Sequence, residues 1–304
     1  MRNRAKTKKV RLILNGKAAR ADAVRAMILR ERTAGQRIKV QVTKKAGDAR
    51  RFAAKAEEAD LLIAAGGDGT LNEVVHGLMN LSKSSRPALG IIPLGTANDF
   101  ATGCTIPRDP EEALALCIQG QQVSVDVGKA NEHWFLNAAT AGFGAEITAT
   151  TPPELKRLLG HVAYTVMGAI LAMNIHHYRG KLVLPDGEIT ARGPVAIVCN
   201  GRQAGGLQVA PRARIDDGLL DVLIVREIPA RALLAAAREL QELSSDGEYI
   251  SYRQAPWVQV QPEEAVPVNL DGEPVSFSSV RYEAVPRAIR LVVPVDCPLL
   301  SSTG

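Results

Sequence analysis

The sequence predicts two domains, a doubly wound α/β domain followed by an all-β domain built as an antiparallel sandwich, and three features carry that prediction. At 304 residues the chain is long for a single core, so it is expected to divide. Its first third alternates short apolar runs with helical periodicity, the pattern of a parallel or doubly wound sheet. Beyond about Val123 the texture changes to short strand-like runs punctuated by Asp-Gly turns, the pattern of an antiparallel sandwich.

The elements follow in chain order. Val10 to Asn15 reads as a strand, Ala18 to Thr33 as a helix through Val24, Met27, Ile28 and Leu29, Ile38 to Thr43 as a strand and Asp48 to Glu58 as a helix. Leu61 to Ala65 is the next strand, and the helix after Thr70 carries Leu71, Val74, Val75, Leu78 and Met79 on one face. Thr70 and Glu73 have the T-x-x-E spacing of a capping box. The strand Ala88 to Ile92 and a helix over Pro110 to Ile118 complete the alternation. In the second half, strands are predicted at Val123 to Val127, Trp134 to Ala139, Lys181 to Leu184, Val195 to Cys199, Leu220 to Arg226, Trp257 to Gln261 and Arg281 to Val285. Turns fall at Pro185-Asp186-Gly187 and Leu270-Asp271-Gly272, and helical inserts at Pro153 to Met173 and Pro229 to Glu242.

Composition narrows the function. Hydrophobic residues make up 46% and charged residues 23%, ordinary for a soluble protein. The net charge of +5 is modest, and part of it sits at Arg2, Arg4, Lys6, Lys8, Lys9 and Arg11. That cluster reads either as a solvated leader or as a weak attraction to anionic lipid headgroups. Aromatics are only 4% and no stacking platform is evident, which argues against nucleic acid. The basic start leads into a strand rather than an apolar signal core, so a cytoplasmic protein is expected. The longest apolar stretch, Val162 to Met173, is shorter than the roughly 18 to 20 residues a membrane span needs. Cys104, Cys117, Cys199 and Cys297 are widely spaced and read as free thiols; adjacent His176 and His177 show no ligand spacing.

The chemistry concentrates at Leu61-Leu62-Ile63-Ala64-Ala65-Gly66-Gly67-Asp68-Gly69-Thr70-Leu71-Asn72-Glu73. A strand, a glycine turn and a helix N-terminus in that order make an anion site, because glycine lets backbone N–H groups approach an oxyanion and the helix dipole favours negative charge. The run is neither a Walker loop nor a dinucleotide fingerprint, and Asp68 is a residue that a merely structural turn would not need.

The Gly66-to-Glu73 block, together with Pro93-Leu94-Gly95-Thr96-Ala97-Asn98-Asp99-Phe100-Ala101, resembles the signature of the diacylglycerol kinase superfamily, which includes the sphingosine and ceramide kinases. Asn200-Gly201-Arg202-Gln203-Ala204-Gly205-Gly206, Ile215-Asp216-Asp217-Gly218-Leu219-Leu220-Asp221 and Leu270-Asp271-Gly272-Glu273-Pro274 resemble its small soluble bacterial branch, the YegS-type lipid kinases. The resemblance runs from Asn15-Gly16-Lys17 to Asp296-Cys297-Pro298-Leu299-Leu300. It implies an NAD kinase/diacylglycerol kinase-like α/β domain over 1–128, completed by the C-terminal segment 288–304 with the strand Arg290 to Val295. The remaining span, 129–287, would be the β-sandwich domain carrying metal and catalytic residues.

By that resemblance the function is an ATP-dependent lipid kinase, with phosphatidylglycerol or diacylglycerol as acceptor and Mg²⁺, or Ca²⁺, as cation. Gly66, Gly67, Gly69 and Thr70 face the nucleotide phosphates, with Asp68, Leu71, Asn72, Glu73, Thr43 and Thr96 as further nucleotide contacts. Asp217 becomes a carboxylate ligand for the metal, with the backbone carbonyls of Arg214 and Leu219, although Asp-Asp-Gly is also ordinary turn chemistry. Glu273 matches the proton acceptor; Asp68 is the rival base. The segments Asn200 to Gly206 and Asn137 to Gly144 are expected to line the cleft. Transient membrane-surface association follows from a lipid substrate, and the oligomeric state stays open between monomer and homodimer. An NAD kinase and a silent nucleotide or lipid sensor are the alternatives; the Leu71-Asn72-Glu73 continuation and the second glycine block argue against the former.

Overall fold

Six-residue segments, continuously apolar in the two inner strands and alternating at the edge, become the parallel strands of the first half: Lys9–Leu14 (β1), Arg37–Val42 (β2), Leu61–Gly66 (β3) and Ala88–Pro93 (β4). The computed structural model describes residues 8–20, 22–33, 35, 37–141, 178–193, 195–204 and 206–301. The chain divides into two units, residues 1–127 with 286–304, and residues 128–285. The expected helix Pro153 to Met173, the apolar stretch Val162 to Met173, His176 and His177, Gly142 to Gly144, Gly205, and Arg2, Arg4 and Lys6 lie outside the described residues.

In the first unit the strand order is β2-β1-β3-β4, all parallel, and the last strand of the chain joins β4 in parallel through Leu291 and Leu89. Every residue of β3 and β4 is buried because helices cover both faces of the sheet. Asp22–Thr33 (α1) packs with Pro110–Gln119, and Asp48–Ala53 (α2) with Asp68–Met79 (α3). A short helix, Asp99–Gly103 (α4), precedes Pro110–Gln119 (α5). Gly77 permits the α2–α3 approach: a Cβ there would lie 2.4 Å from the Arg50 carbonyl oxygen. The chain leaves β1 towards β2 on one side and returns to β3 on the other. The topological switch point therefore falls between β1 and β3, where open α/β sheets bind their ligands.

The second unit begins within Gln121–Ala130 (β5) and continues through His133–Phe135 (β6), Ala138–Ala141 (β7), Tyr178–Leu184 (β8), Gly187–Gly193 (β9), Val195–Cys199 (β10), Gln203–Ala204 (β11) and Leu207–Gln208 (β12). Leu220–Val225 (β13), Leu233–Glu242 (α6), Ile250–Ala255 (β14), Trp257–Pro262 (β15), Val266–Leu270 (β16), Glu273–Phe277 (β17) and Val280–Val293 (β18) follow. One sheet, β14-β13-β10-β7-β16-β17, is antiparallel throughout. Facing it, the first part of β18 pairs β15, then β8 and β9, also antiparallel. Val198, Val222, Val268 and Leu270 from one sheet meet Leu182, Val258, Val280 and Tyr282 from the other, which is the sandwich core. The outer face of the first sheet is covered by Ala236, Ala237 and Leu240 of α6 and by Val209, Ala210 and Ala213.

Four expectations are corrected. The helix from Asp48 stops at Ala53 rather than Glu58, because i→i−3 bonds from Lys55 to Phe52 and Ala56 to Ala53 replace the helical ladder. The segment Ala18 to Thr33 opens with a separate 3₁₀ turn at Ala18–Arg20. Trp134 to Ala139 is broken into β6 and β7 at Leu136 and Asn137. Arg281 to Val285 and Arg290 to Val293 are parts of the single strand β18, which stops two residues short of the expected Val295 and passes through Arg287 at φ 50°, its N–H donating to the Asp126 carboxylate at 2.7 Å.

All four cysteines are buried and free. Burial pushes the Cys117 thiol up to about 12 and also raises that of Cys199, where the carboxylates of Asp221 and Asp271 add to the effect. Native protein at pH 8 should therefore show no rapid reaction with a disulfide reagent, and four equivalents after guanidinium unfolding, read by absorbance.

Candidate active site

The carboxyl ends of the parallel strands meet around the first glycine turn. Gly67, with extended backbone, caps α3, and the first helical bond runs from the Leu71 N–H to the Gly67 carbonyl at 3.1 Å. The helix thus starts at Asp68, two residues before the expected Thr70, and the capping box does not form. Thr70 lies inside the first turn, where its Oγ1 accepts from Asn15 Nδ2 at 3.0 Å. The Glu73 carboxylate turns to the neighbouring helix instead, accepting from the N–H groups of Gly47 at 2.8 Å and Ala49 at 3.0 Å. It thereby caps α2, whose own N-cap, Gly47, has no side chain.

The glycines of the run have different physical reasons. A Cβ at Gly66 would fall 2.5 Å from Thr70 Oγ1, so packing forbids one. At Gly67 a Cβ would meet the Gly95 Cα at 3.0 Å, and one at Gly95 would meet the Gly67 Cα at 2.5 Å. The two glycine turns therefore touch backbone to backbone. Gly69 is exposed, and a Cβ there would meet nothing within 4 Å.

The second turn is built around Asn98, which adopts φ 53° and clasps Gly95 from both sides. Its Oδ1 accepts from the Gly95 N–H at 2.9 Å and its Nδ2 donates to the Gly95 carbonyl at 2.8 Å. Thr96 is left exposed at the tip. Asp68 lies beside the second turn, where the backbone N–H groups of Asn98 and Phe100 favour its charged form. Its carboxyl is nonetheless shifted upward, first by burial and then by the nearby Asp99 charge. Thr43 follows β2 at the same edge, its Oγ1 accepting from the Gly16 N–H at 3.1 Å. Asn72 is buried in α3 with Leu71.

The remaining sequence-predicted residues belong to the second unit. Glu273 opens β17 with an exposed side chain, opposite Leu270 across a two-residue turn. Asp271 and Gly272 form that turn with φ of 48° and 97°, the left-handed pair that a type I′ hairpin requires. Asp217 Oδ1 accepts from the Leu219 N–H at 2.9 Å, and Gly218 takes φ 75°. Buried Ala213 and Ile215 anchor this turn. Its donors, the Asp217 carboxylate and the carbonyls of Arg214 and Leu219, are all oxygens, the set a hydrated Mg²⁺ or Ca²⁺ takes. Among the described residues no cluster of three or more His, Cys, Asp or Glu side chains could hold a metal. Beyond that turn, Asp221 is buried; it accepts from the Tyr252 hydroxyl and, at 3.1 Å, from Gln254 Nε2, and burial pushes its carboxyl up to about 6.

Asn137 and Asn200, expected at the cleft, are drawn together: the Asn137 carbonyl accepts from the N–H groups of Asn200 at 2.9 Å and Gly201 at 2.8 Å. Sequence reasoning missed two participants. Asn15 links the end of β1 to Thr70, and an Asn-Gly pair directly after the central strand was the available signal. Asp271, whose carboxylate is also engaged with the main chain, left no signal beyond its turn.

Comparison with known proteins matches the geometry. A model described as the diacylglycerol kinase catalytic domain matches residues 9–130, and one described as the YegS C-terminal NAD kinase beta sandwich-like domain matches residues 137–293. A Chromohalobacter salexigens protein named "Probable lipid kinase YegS-like" is 47% identical over 294 residues, covering 95% of this chain and 94% of its own length. One of the same name from Shewanella frigidimarina is 38% identical, covering 96% of each chain. A solved structure from Bacillus anthracis str. Sterne, described as a proposed diacylglycerol kinase, superposes with a TM-score of 0.80 at 28% identity and covers 98% of this chain and 99% of its own.

The α2 terminus beside this edge makes a pH prediction. Asp48 is held at about 2, below the usual carboxylate range, chiefly by its hydrogen bond with Arg51 and then by the Lys44 N–H. A depressed folded pKa stabilises the fold above the unfolded value and loses that contribution as pH falls from about 4 towards 2. Asp48→Asn should melt below the parent at pH 7, and the gap should close as thermal scans move from pH 4.5 to pH 2.5.

Proposed function

This chain belongs to the diacylglycerol kinase family, as a kinase of the YegS-like branch, and we propose that it transfers the γ-phosphate of ATP to the free hydroxyl of a membrane lipid, phosphatidylglycerol or diacylglycerol. The observation that carries ATP use is Gly69. Packing explains Gly66 and Gly67, but nothing in the fold requires a missing side chain at Gly69. It lies exposed in the first turn of α3 at the switch point, where a phosphate needs close backbone approach.

In this reading the N–H groups of the α3 first turn hold the nucleotide phosphates, and Thr96 and Thr43 bound the same edge. A divalent cation, when bound, neutralises charge on the transferring phosphoryl group; Asp217 with the carbonyls of Arg214 and Leu219 would hold a cation of that class. Glu273 takes the proton of the lipid hydroxyl as that oxygen bonds to the γ-phosphorus. The bond to the β–γ bridging oxygen breaks, and ADP leaves with both electrons of that bond. A lipid acceptor requires the protein to work at a membrane surface, and among the described residues no helix is long and apolar enough to cross one.

The direct test offers γ-labelled ATP with vesicles containing phosphatidylglycerol, vesicles containing diacylglycerol, or NAD in solution, each with Mg²⁺ and with Ca²⁺. Label on lipid supports the reading; label on NAD, or none, overturns it. Gly69→Ala should leave the melting temperature unchanged or higher, since alanine favours helix by about 1 kcal/mol, yet raise KM for ATP about tenfold or more. Glu273→Gln should abolish phosphate transfer while ATP affinity, followed by calorimetry, stays within about twofold.

A further inference from the structure

The turn that carries Glu273 is held from behind by its own aspartate. An Asp-Gly pair would form a type I′ turn with its carboxylate in water, but Asp271 folds its side chain back onto the break between β6 and β7. Its Oδ2 accepts from the Leu136 N–H at 2.6 Å, and its Oδ1 accepts from Asn137 at 3.0 Å and Ala138 at 2.8 Å. The Asp271 N–H returns a bond to the Ala138 carbonyl at 3.0 Å, and Gly272 donates to Asn269 Oδ1 at 2.7 Å. Leu136 is 1%, Asn137 8% and Ala138 6% exposed, so water is a poor substitute acceptor for their N–H groups.

The same break is gripped from the other side. The Leu136 carbonyl accepts from Asn200 Nδ2 at 2.8 Å, and the Asn137 carbonyl from the Asn200 and Gly201 N–H groups. A Cβ at Gly201 would lie 2.2 Å from Asn137 Oδ1, so the glycine is needed for that approach. Segments far apart in sequence, around residues 136–138, 200–201 and 269–272, thus form one hydrogen-bonded junction within the second unit.

We infer that Asp271 is a positioning residue for phosphoryl transfer: its carboxylate fixes the direction in which the neighbouring turn presents Glu273. The inference rests on Glu273 being the base. The junction needs a carboxylate rather than any turn former, because all three main-chain groups are donors and both side-chain oxygens accept. An asparagine would set its NH₂ against one of those donors while forming an equally good or better I′ turn. That separates the two roles: as a mere turn former, Asp271→Asn would behave like the parent.

The experiment measures kcat and KM for ATP with mixed phosphatidylglycerol and diacylglycerol vesicles for the parent, Asp271→Asn, Glu273→Gln and the double variant, with circular dichroism and melting as fold controls. Asp271→Asn should keep its fold and its KM for ATP, while kcat falls about 10- to 100-fold through misplacement of the reacting group. In the Glu273→Gln background the same change should cost nothing further, since both act on one step. Parent-like kcat in Asp271→Asn, full additivity with Glu273→Gln, or global unfolding of Asp271→Asn overturns the inference. Normal turnover by Glu273→Gln alone would instead remove the base assignment on which it rests.

Discussion

Two backbone turns that meet without side chains between them set the geometry of the first unit. Gly67 and Gly95 lie so close that a methyl group on Gly95 would reach within 2.5 Å of the other Cα. That approach aligns the ends of β3 and β4, where the Leu94 N–H also donates to the Gly66 carbonyl at 2.9 Å. Once the turns touch, the start of α4 comes beside Asp68. Burial and the Asp99 charge push the Asp68 carboxyl upward, and the nearby N–H groups of Asn98 and Phe100 act in the opposite sense.

Much of this was legible from residue patterns, and the failures have local causes. Apolar runs located β3 and β4 because both faces of those strands are buried and the runs are continuous. It misplaced the α3 start because T-x-x-E spacing describes a local option, while Glu73 finds unsatisfied N–H groups on α2, 23 to 26 residues away in sequence. The mostly apolar run of Trp134 to Ala139 hid the break at Leu136 and Asn137. That break is imposed by Asp271 more than 130 residues downstream, and no window of sequence contains both partners. Likewise the strands expected separately from Arg281 and from Arg290 are one, continuing through the left-handed Arg287, whose N–H donates to Asp126.

The motif carboxylates sort by what the fold already asks of them. Glu73 is occupied at the terminus of α2 and Asp271 at the break between β6 and β7, each accepting from backbone N–H groups. Glu273 differs: it is exposed, stands at the first position of a strand, and is reached through a turn whose φ angles are fixed. A base must be free to take up a proton and yet be aimed, and these demands conflict in a single side chain. In the proposed mechanism the demands are divided between two residues of one hairpin, with Asp271 committed to the scaffold and Glu273 left to the substrate. Asp68, the rival base in the sequence, is instead half-buried in the first turn of α3, beside the second glycine turn.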